Sequence, residues 1–219
     1  MARGRHQIET WVFDLDNTLY CPSVALFAQI NVRMTAFIRR ELGVDEARAD
    51  DLRGAYWRRY GTTLAGLVTE HDIAPEKFLE ECHDIDLSGL VPDPALRGAI
   101  EDLPGRKIVH TNGPRIHAEG VLAARGLTGL FDAVIAIEDT GLVPKPTAAA
   151  YDEAEALTGI NPSRALMIED HVENLVEPKR RGTVTVWLHH GDDGRHGHVD
   201  HRIDDVVGFL QSASEGLPD

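Results

Sequence analysis

The second half of this 219-residue chain alternates between short apolar runs and amphipathic stretches, and this alternation restricts its fold more than any other feature. Apolar runs at 106–112, 131–139, 164–170 and 183–188 predict strands, and helical spacing lies between them. An earlier apolar run at 11–13 predicts a strand of the same sheet. Strands that alternate with helices run parallel, so we expect an α/β fold with a doubly wound parallel sheet.

Residues 21–92 differ, because helical periodicity continues there without a strand. Apolar side chains recur every three or four positions over residues 23–42, and Gly43 is a plausible helix end. Three more helical stretches follow it. We therefore expect an all-helical cap domain of residues 21–92, inserted into a core domain of residues 1–20 and 93–219.

Charge and composition restrict the partners. The formal net charge is −14, which disfavours nucleic acids and anionic membranes as partners. No apolar run is long enough to span a bilayer, and the N-terminus lacks the apolar segment of a secretory signal. The two cysteines, Cys21 and Cys82, form no disulfide pattern, so we expect a cytoplasmic protein. An anionic substrate would need a local positive site, from a metal ion or a lysine.

Polar residues cluster at the predicted carboxyl ends of the strands, where open parallel sheets bind ligands. They are Asp14 and Asp16 after the first strand, Thr111, Asn112 and Gly113 after the second, Lys145 in the loop after the third, and Glu169 and Asp170 at the end of the fourth. One edge of the sheet is therefore expected to gather carboxylates, a hydroxyl group and an ammonium group.

The carboxylates at this edge suit Mg²⁺, which proteins hold through a few carboxylate oxygens with water and substrate. The cation would relieve the repulsion between the acids and attract a phosphate group. Asp14 is then a candidate nucleophile, because carboxylates attack phosphorus to form aspartyl phosphates. Asp16 is a candidate general acid and base. Both residues also have a simpler interpretation, since aspartate is common in turns after strands.

Two further groups at the same edge suit a phosphate. Thr111 and the amides of Asn112 and Gly113 lie at a predicted helix start, where unpaired N–H groups bind anions. Lys145 is followed by Pro146, which favours an extended backbone and so holds the ammonium group in one direction. The alternatives are a helix cap for Thr111 and a solvated loop charge for Lys145.

The ordered set of residues resembles the four motifs of haloacid dehalogenase superfamily phosphatases, and it spans most of the chain. Asp14, Asp16 and Thr18 match the first motif, DxDxT, Thr111 the second, Lys145 in VPKP the third, and Glu169, Asp170 and Asn174 the fourth. The helical insertion after the first motif matches the cap that is common in this superfamily.

The resemblance implies a role for each matched residue. Asp14 would be the nucleophile and a Mg²⁺ ligand, and Asp16 would be the acid and base and bind the metal through its carbonyl oxygen. Asp170 would be a further metal ligand. The residues implied to support these ligands from outside the coordination sphere are Glu169, Asn174 and Thr18. The alternative interpretation of Asn174 is that its side chain makes a purely structural hydrogen bond.

A narrower resemblance concerns the substrate. DLDNTLY at 14–20, YGTTLAGL at 60–67 and the NL that ends the fourth motif are similar to the pyrimidine 5′-nucleotidase branch. This implies hydrolysis of nucleoside monophosphates such as UMP and CMP. Trp57, Tyr56 and Tyr60 are candidates to stack on the base, with packing inside the cap as the alternative.

Other functions stay open. The substrate is alternatively another small phosphate, such as a sugar phosphate or phosphoglycolate. A 2-haloacid dehalogenase attacks carbon without a metal and usually lacks an acid at the position of Asp16. A receiver-like phospho-switch carries its phosphorylated aspartate after the third strand, whereas Asp14 follows the first. A monomer and a homodimer are both compatible with the sequence.

Two features lie outside this scheme. Residues 189–201 are rich in histidine and aspartate and predict either a second site, for a transition metal, or a polar mobile loop near the active edge. Their spacing matches no zinc pattern. Pro178 interrupts a helix predicted over 172–181 and predicts a kink there.

Overall fold

A computed structural model describes residues 8–192 and 194–215 of the chain. It contains one six-stranded parallel sheet of β1 (Thr10–Phe13), β2 (Arg106–His110), β3 (Ala133–Ile135), β4 (Ala165–Glu169), β5 (Val184–Leu188) and β6 (His201–Ile203). The strand order is β3-β2-β1-β4-β5-β6, with every pair parallel. The order reverses between β1 and β4, and such a switch point opens a crevice at the carboxyl ends of the strands.

Helices cover both faces of this sheet. Those of the sheet-forming part are α5 (Pro94–Glu101), α6 (Arg115–Ala124), α7 (Ala148–Thr158), α8 (Val176–Arg181) and α9 (Val206–Glu215), and those of the insertion are α1 (Leu26–Leu42), α2 (Glu46–Tyr60), α3 (Thr63–His71) and α4 (Pro75–His83). Short 3-10 helices occupy Pro22–Val24, Pro162–Arg164 and Val172–Leu175.

Alternate residues along the central strand explain the two helical layers. Trp11 and Phe13 pack with residues of α5, α6 and α9, whereas Val12 packs against Tyr151 of α7 on the opposite face. Side chains of a strand alternate between the faces of its sheet, so β1, which is buried at every position, must be covered on both faces. The predicted doubly wound parallel fold is therefore confirmed.

Local signals divide the insertion into its helices. Gly43 and Gly61 end α1 and α2 with φ of 64° and 83°, values that favour glycine. Asp45 caps α2 by accepting from the Arg48 amide at 2.8 Å, and Thr62 caps α3. Capping residues therefore mark the starts of α2 and α3 and the ends of α1 and α2.

The insertion has its own hydrophobic cluster, which includes Phe37, Tyr56, Leu67 and Phe78. Ile137, from the loop after β3, is buried in the same cluster, so the sheet-forming part contributes to it. The described residues of the stretch 21–92 include no strand. The domain boundaries at 20/21 and 92/93 stay a prediction.

The third strand is shorter than predicted. The apolar run suggested a strand over 131–139, but β3 ends at Ile135 because the chain turns there. The Asp139 carboxylate accepts from the Ala136 amide at 2.8 Å, and the Ile137 amide donates to Gly113 instead of to a strand. The buried apolar residues after Ile135 therefore belong to the loop and to the cap cluster.

The helix predicted over 172–181 is divided in two ahead of Pro178. The stretch 172–181 forms a 3-10 turn followed by α8, and Pro178 is the third residue of α8, where a helix needs no amide hydrogen bond. The carbonyl of Asn174, four residues earlier, accepts from the Tyr151 hydroxyl instead. None of the helices that the structure describes is long and apolar enough to cross a membrane.

The close contact of α2 and α3 predicts the effect of one substitution. A Cβ added at Gly66 would overlap the ring of Tyr56, so Gly66→Ala should lower the free energy of unfolding by about 1–3 kcal/mol. Gly98 in α5 has open space around it, and Gly98→Ala should raise the free energy by about 0.5–1 kcal/mol. Urea unfolding measures both, and equal effects at the two positions would contradict the α2–α3 packing.

Candidate active site

The carboxylates that follow β1 and β4 meet at the switch point of the sheet. Asp14 comes directly after β1, and its amide donates to the carbonyl of Ile168 in β4 at 2.9 Å. Ligand oxygens of Asp14, Glu169 and Asp170 all lie within 4.8 Å of one another. In the described part of the chain, no other three acidic, histidine or cysteine side chains come together in this way. The structure thus brings the two predicted acidic motifs together.

A buried lysine joins three of the strand ends. The Lys145 ammonium donates to Asp14 Oδ1 at 2.8 Å, to Glu169 Oε2 at 2.7 Å and to the His110 carbonyl oxygen at 2.7 Å. Lys145 is 1% exposed, so it is not the solvated loop charge of the alternative interpretation. Burial opposes its charge, but Asp14 and Glu169 outweigh that and raise the pKa of Lys145 above its usual value.

The side chain of Asn112 holds the backbone of this lysine. Its Oδ1 accepts from the Lys145 amide at 2.8 Å, and its Nδ2 donates to the Lys145 carbonyl at 3.0 Å. The Lys145–Pro146 peptide bond is cis. Sequence reasoning assigned only the amide of Asn112 a role, so this positioning contact was missed.

The loop after β2 is ordered by its own hydrogen bonds. The Thr111 hydroxyl accepts from the Gly113 amide at 2.9 Å, and Thr111 is 1% exposed. Helix α6 begins two residues later, at Arg115, whose amide donates to the Glu138 carboxylate. The Gly113 amide therefore has a partner within the loop, and the phosphate-binding roles of Thr111, Asn112 and Gly113 stay predictions.

Asp16 has two hydrogen-bond donors on one oxygen. Tyr20 donates its hydroxyl to Asp16 Oδ1 at 2.6 Å, and His117 Nε2 lies 2.7 Å from the same atom. The other oxygen, Oδ2, lies on the side of Gly113, 3.4 Å from where a Cβ of that residue would be. Burial alone would raise the pKa of Asp16, but His117 and Tyr20 lower it below its usual value.

The acidic cluster carries a charge conflict that a cation would relieve. Burial and the nearby Glu169 raise the pKa of Asp14 to about 7, even though Lys145 acts in the opposite direction. Burial and the charge of Asp14 raise the pKa of Asp170 to about 6. The raised pKa values show that the site lacks positive charge, which a divalent cation would supply. The spacing of the carboxylate oxygens fits such a cation, held by Asp14 and Asp170.

Three other predicted residues lie around these ligands. Glu169 is bonded on both oxygens, to Lys145 and to the His171 amide at 3.1 Å, which fits a place outside the coordination sphere. Asn174 is buried, and its carbonyl accepts from Tyr151. The hydroxyl of Thr18 is buried without a hydrogen-bond partner among the described residues. The supporting roles of these residues stay predictions.

The aromatic candidates in the cap separate into two groups. Tyr56 and Tyr60 donate their hydroxyls to Glu70, so both belong to the cap's own packing. Trp57 is 53% exposed, and its ring lies 5.9 Å from the ring of His171, the residue after Asp170. Trp57 alone of the three is an exposed ring beside the acidic cluster.

The histidine-rich stretch 189–201 lies beside the site. His190 Nε2 is 2.8 Å from the carbonyl oxygen of Asn17, and His198 Nε2 is 3.1 Å from that of Val172. These contacts connect the stretch to the loops that carry Asp16 and Asp170. Its described residues form no metal-binding group, and Asp193 lies outside the described residues.

Motif reasoning missed several residues of the site. His117 belongs to no recognised pattern and lies 101 positions from Asp16, so only the fold shows their contact. Tyr20 was within the quoted DLDNTLY segment, and its spacing of four residues from Asp16 was an available signal. Asn17 takes a left-handed conformation with φ of 60°, which asparagine tolerates, and its side chain lies beside Asp170.

The raised pKa values predict how cation binding depends on pH. At low pH, Asp14 and Asp170 carry protons that a cation must displace, so the rise in Tm caused by MgCl₂ should increase from about pH 5 to about pH 8. Most of this increase should lie below about pH 7, where Asp14 loses its proton. Thermal unfolding with and without MgCl₂ measures it.

Two variants locate the bound cation. Asp170→Asn should lose most of the rise in Tm, whereas Asp51→Asn, at an exposed aspartate of α2, should keep it. A rise that is independent of pH, or that survives in Asp170→Asn, would place the cation elsewhere.

Comparisons with known proteins agree with this geometry. Residues 8–176 match the family model described as a haloacid dehalogenase-like hydrolase. "Phosphate metabolism protein 8" of Saccharomyces cerevisiae is 25% identical over 215 residues, covering 90% of this chain and 62% of that protein. "Validoxylamine A 7′-phosphate phosphatase" of Streptomyces hygroscopicus subsp. limoneus is 34% identical over 80 residues, covering 36% of this chain and 37% of that protein. The chain thus spans less than two thirds of either relative.

Solved structures share the fold along nearly the whole chain. A phosphatase of the same superfamily from Thermococcus onnurineus superposes with a TM-score of 0.65 at 19% identity, covering 96% of this chain and 99% of that one. The L-2-haloacid dehalogenase from Xanthobacter autotrophicus gives 0.61 at 17% identity, with 97% and 100% covered. Because the family model covers most of the chain, from before β1 to the start of α8, the protein belongs to the haloacid dehalogenase-like hydrolases.

Proposed function

We propose that this protein is a Mg²⁺-dependent phosphomonoesterase that works through an aspartyl phosphate on Asp14 and acts on nucleoside 5′-monophosphates, pyrimidine nucleotides in particular. The observation that carries the phosphatase assignment is the arrangement around Asp14. Its carboxylate is bonded to a buried lysine, lies beside Asp170, and is followed two residues later by a second acid with its own donors.

The first half of the reaction uses the two acids after β1. Asp14 attacks phosphorus, and the bond between phosphorus and the ester oxygen breaks. Asp16 donates a proton to that oxygen, so the alcohol leaves neutral. Lys145 stays bonded to Asp14 and orients its carboxylate for attack. Bound Mg²⁺, held by Asp14, Asp170 and the carbonyl oxygen of Asp16, would supply positive charge beside the phosphoryl group.

The second half releases phosphate. Asp16, now a carboxylate, takes a proton from water as that water attacks phosphorus and the bond to Asp14 breaks. Both halves need Asp16 on the side of the loop after β2, where its Oδ2 lies near Gly113. The names of the relatives support phosphate chemistry, since the Streptomyces protein is called a phosphatase.

A dehalogenase is the main competing activity, and similar folds do not decide between the two. A 2-haloacid dehalogenase needs no metal and usually has no acid at the position of Asp16. Here Asp16 is present and its Oδ2 lies on the side of Gly113, which favours an acid and base role. A phosphatase is therefore the better supported function.

The nucleotide assignment rests on the cap. Trp57 presents an exposed indole ring next to His171, close to the acidic cluster. A planar base can stack on such a ring, whereas a small sugar phosphate or phosphoglycolate gains little from it. The similarity of segments 14–20 and 60–67 to pyrimidine 5′-nucleotidases supports the same substrate class.

Replacing the nucleophile tests the reaction. Asp14→Asn should abolish phosphate release from p-nitrophenyl phosphate, because an amide does not form the phosphoenzyme. Far-UV circular dichroism should show an intact fold. The wild-type protein should turn over many times and lose its activity in EDTA. Retained activity in the variant, or turnover that is indifferent to EDTA, would contradict the proposal.

Replacing the exposed tryptophan tests the substrate class. Trp57→Ala should lower kcat/KM for UMP about 5- to 100-fold, because base stacking contributes about 1–3 kcal/mol. The value for glycerol 2-phosphate, which has no ring, should stay the same. Trp57→Phe keeps an aromatic ring and should retain much of the UMP activity. Equal losses on both substrates would favour a small phosphate as the substrate.

A further inference from the structure

The carboxylate of Asp16 is held by a tyrosine and a histidine, whereas those of Asp14 and Glu169 are held by the buried lysine. Tyr20 and His117 both bond to Oδ1, at 2.6 and 2.7 Å, and Oδ2 is left on the side of Gly113 and Thr111. Rotation of the carboxylate would exchange the two oxygens, and both bonds would have to break for it to occur. The two donors therefore give the two oxygens of Asp16 different tasks.

We propose that His117 is a positioning residue for the acid and base chemistry: with Tyr20 it holds Oδ1 of Asp16, so that Oδ2 exchanges the proton with the ester oxygen and then with water. This inference rests on the proposed phosphatase function. His117 keeps its own proton throughout. In the first half the proton moves from Oδ2 to the leaving oxygen, and in the second half it moves from water to Oδ2.

The surroundings of His117 suit this task. The residue is 2% exposed in α6, so water does not compete for its bond to Asp16. Its other nitrogen, Nδ1, is buried and has no hydrogen-bond partner among the described residues. The only described hydrogen bond of the imidazole is therefore the one to Asp16, which is unusual for a histidine that serves packing alone.

The cap supports His117 from the other side. The ring of His83, at the end of α4, lies 5.4 Å from the ring of His117, and His83 Nδ1 is bonded to the Leu79 carbonyl at 2.9 Å. Leu87, after α4, approaches Gly120 one turn further along α6. Helix α6 is thus in contact with the insertion at the level of His117, and the seating of the cap helps to fix the ring that holds Asp16.

The test compares leaving groups. A poor leaving group, the alkoxide of glycerol 2-phosphate, needs a proton from Asp16, whereas p-nitrophenolate leaves without one. His117→Leu should lower kcat/KM for glycerol 2-phosphate about 10- to 100-fold and for p-nitrophenyl phosphate at most about threefold. His117→Gln retains an N–H donor and should recover part of the loss.

His117→Leu should also slow the second half of the reaction, in which water attacks the phosphoenzyme. When water is activated slowly, the phosphoenzyme accumulates, so His117→Leu should release a rapid burst of p-nitrophenol before steady turnover. A role in folding alone would not produce a burst. Tyr20→Phe removes only one hydroxyl and should give a smaller change of the same kind.

Val121→Ala is the matched control, because Val121 is buried one turn after His117 in α6 and packs in the hydrophobic core. It should lower stability and leave the ratio of the two kcat/KM values unchanged. Equal losses on both substrates in His117→Leu, or a changed ratio in Val121→Ala, would overturn the inference. If His117→Leu does not fold, an unchanged ratio in Tyr20→Phe and His117→Gln overturns it. Absence of phosphate release by the wild type would instead refute the proposed function.

Discussion

The Lys145 ammonium, buried between two carboxylates, is the interaction on which the site depends. A buried charge is costly unless it is paired and fully hydrogen-bonded, and Lys145 has three oxygen partners within 2.8 Å. Those partners come from the ends of β1, β2 and β4, three neighbouring strands of the sheet. The ion pairs therefore fix the relative positions of the strand ends while offsetting part of the repulsion between the acids.

The repulsion that remains between the carboxylates of the site is consistent with the proposed function. Burial, together with acidic charge that one lysine does not neutralise, keeps the pKa of Asp14 raised to about 7 and that of Asp170 to about 6. Under the proposed function, a cation bound here would offset this charge and favour the binding of a phosphate. Asp16 lies outside this group because His117 and Tyr20, instead of Lys145, bond to it. The two aspartates after β1 are thus held in different electrostatic surroundings, which raise the pKa of Asp14 and lower that of Asp16.

Much of this arrangement was predictable from the sequence. Buried strands that alternate with helices gave the parallel sheet, and the rule that ligands bind at strand carboxyl ends selected Asp14, Lys145 and Asp170. The contact between His117 and Asp16 was not predictable, because it depends on how α6 packs beside the first loop. The end of β3 was misjudged because apolar residues such as Ile137 look alike in a strand and in a cluster under a cap.

Ile137 also affects the free energy needed to separate the insertion from the sheet-forming part. Ile137 is attached to the sheet-forming part, yet it is buried among side chains of the insertion, and Leu142 packs against the same cluster. A swing of the helices away from the strands would uncover these side chains to water, at a cost proportional to the apolar area exposed. The apolar contacts of Ile137 and Leu142 therefore oppose separation of the insertion from the sheet-forming part.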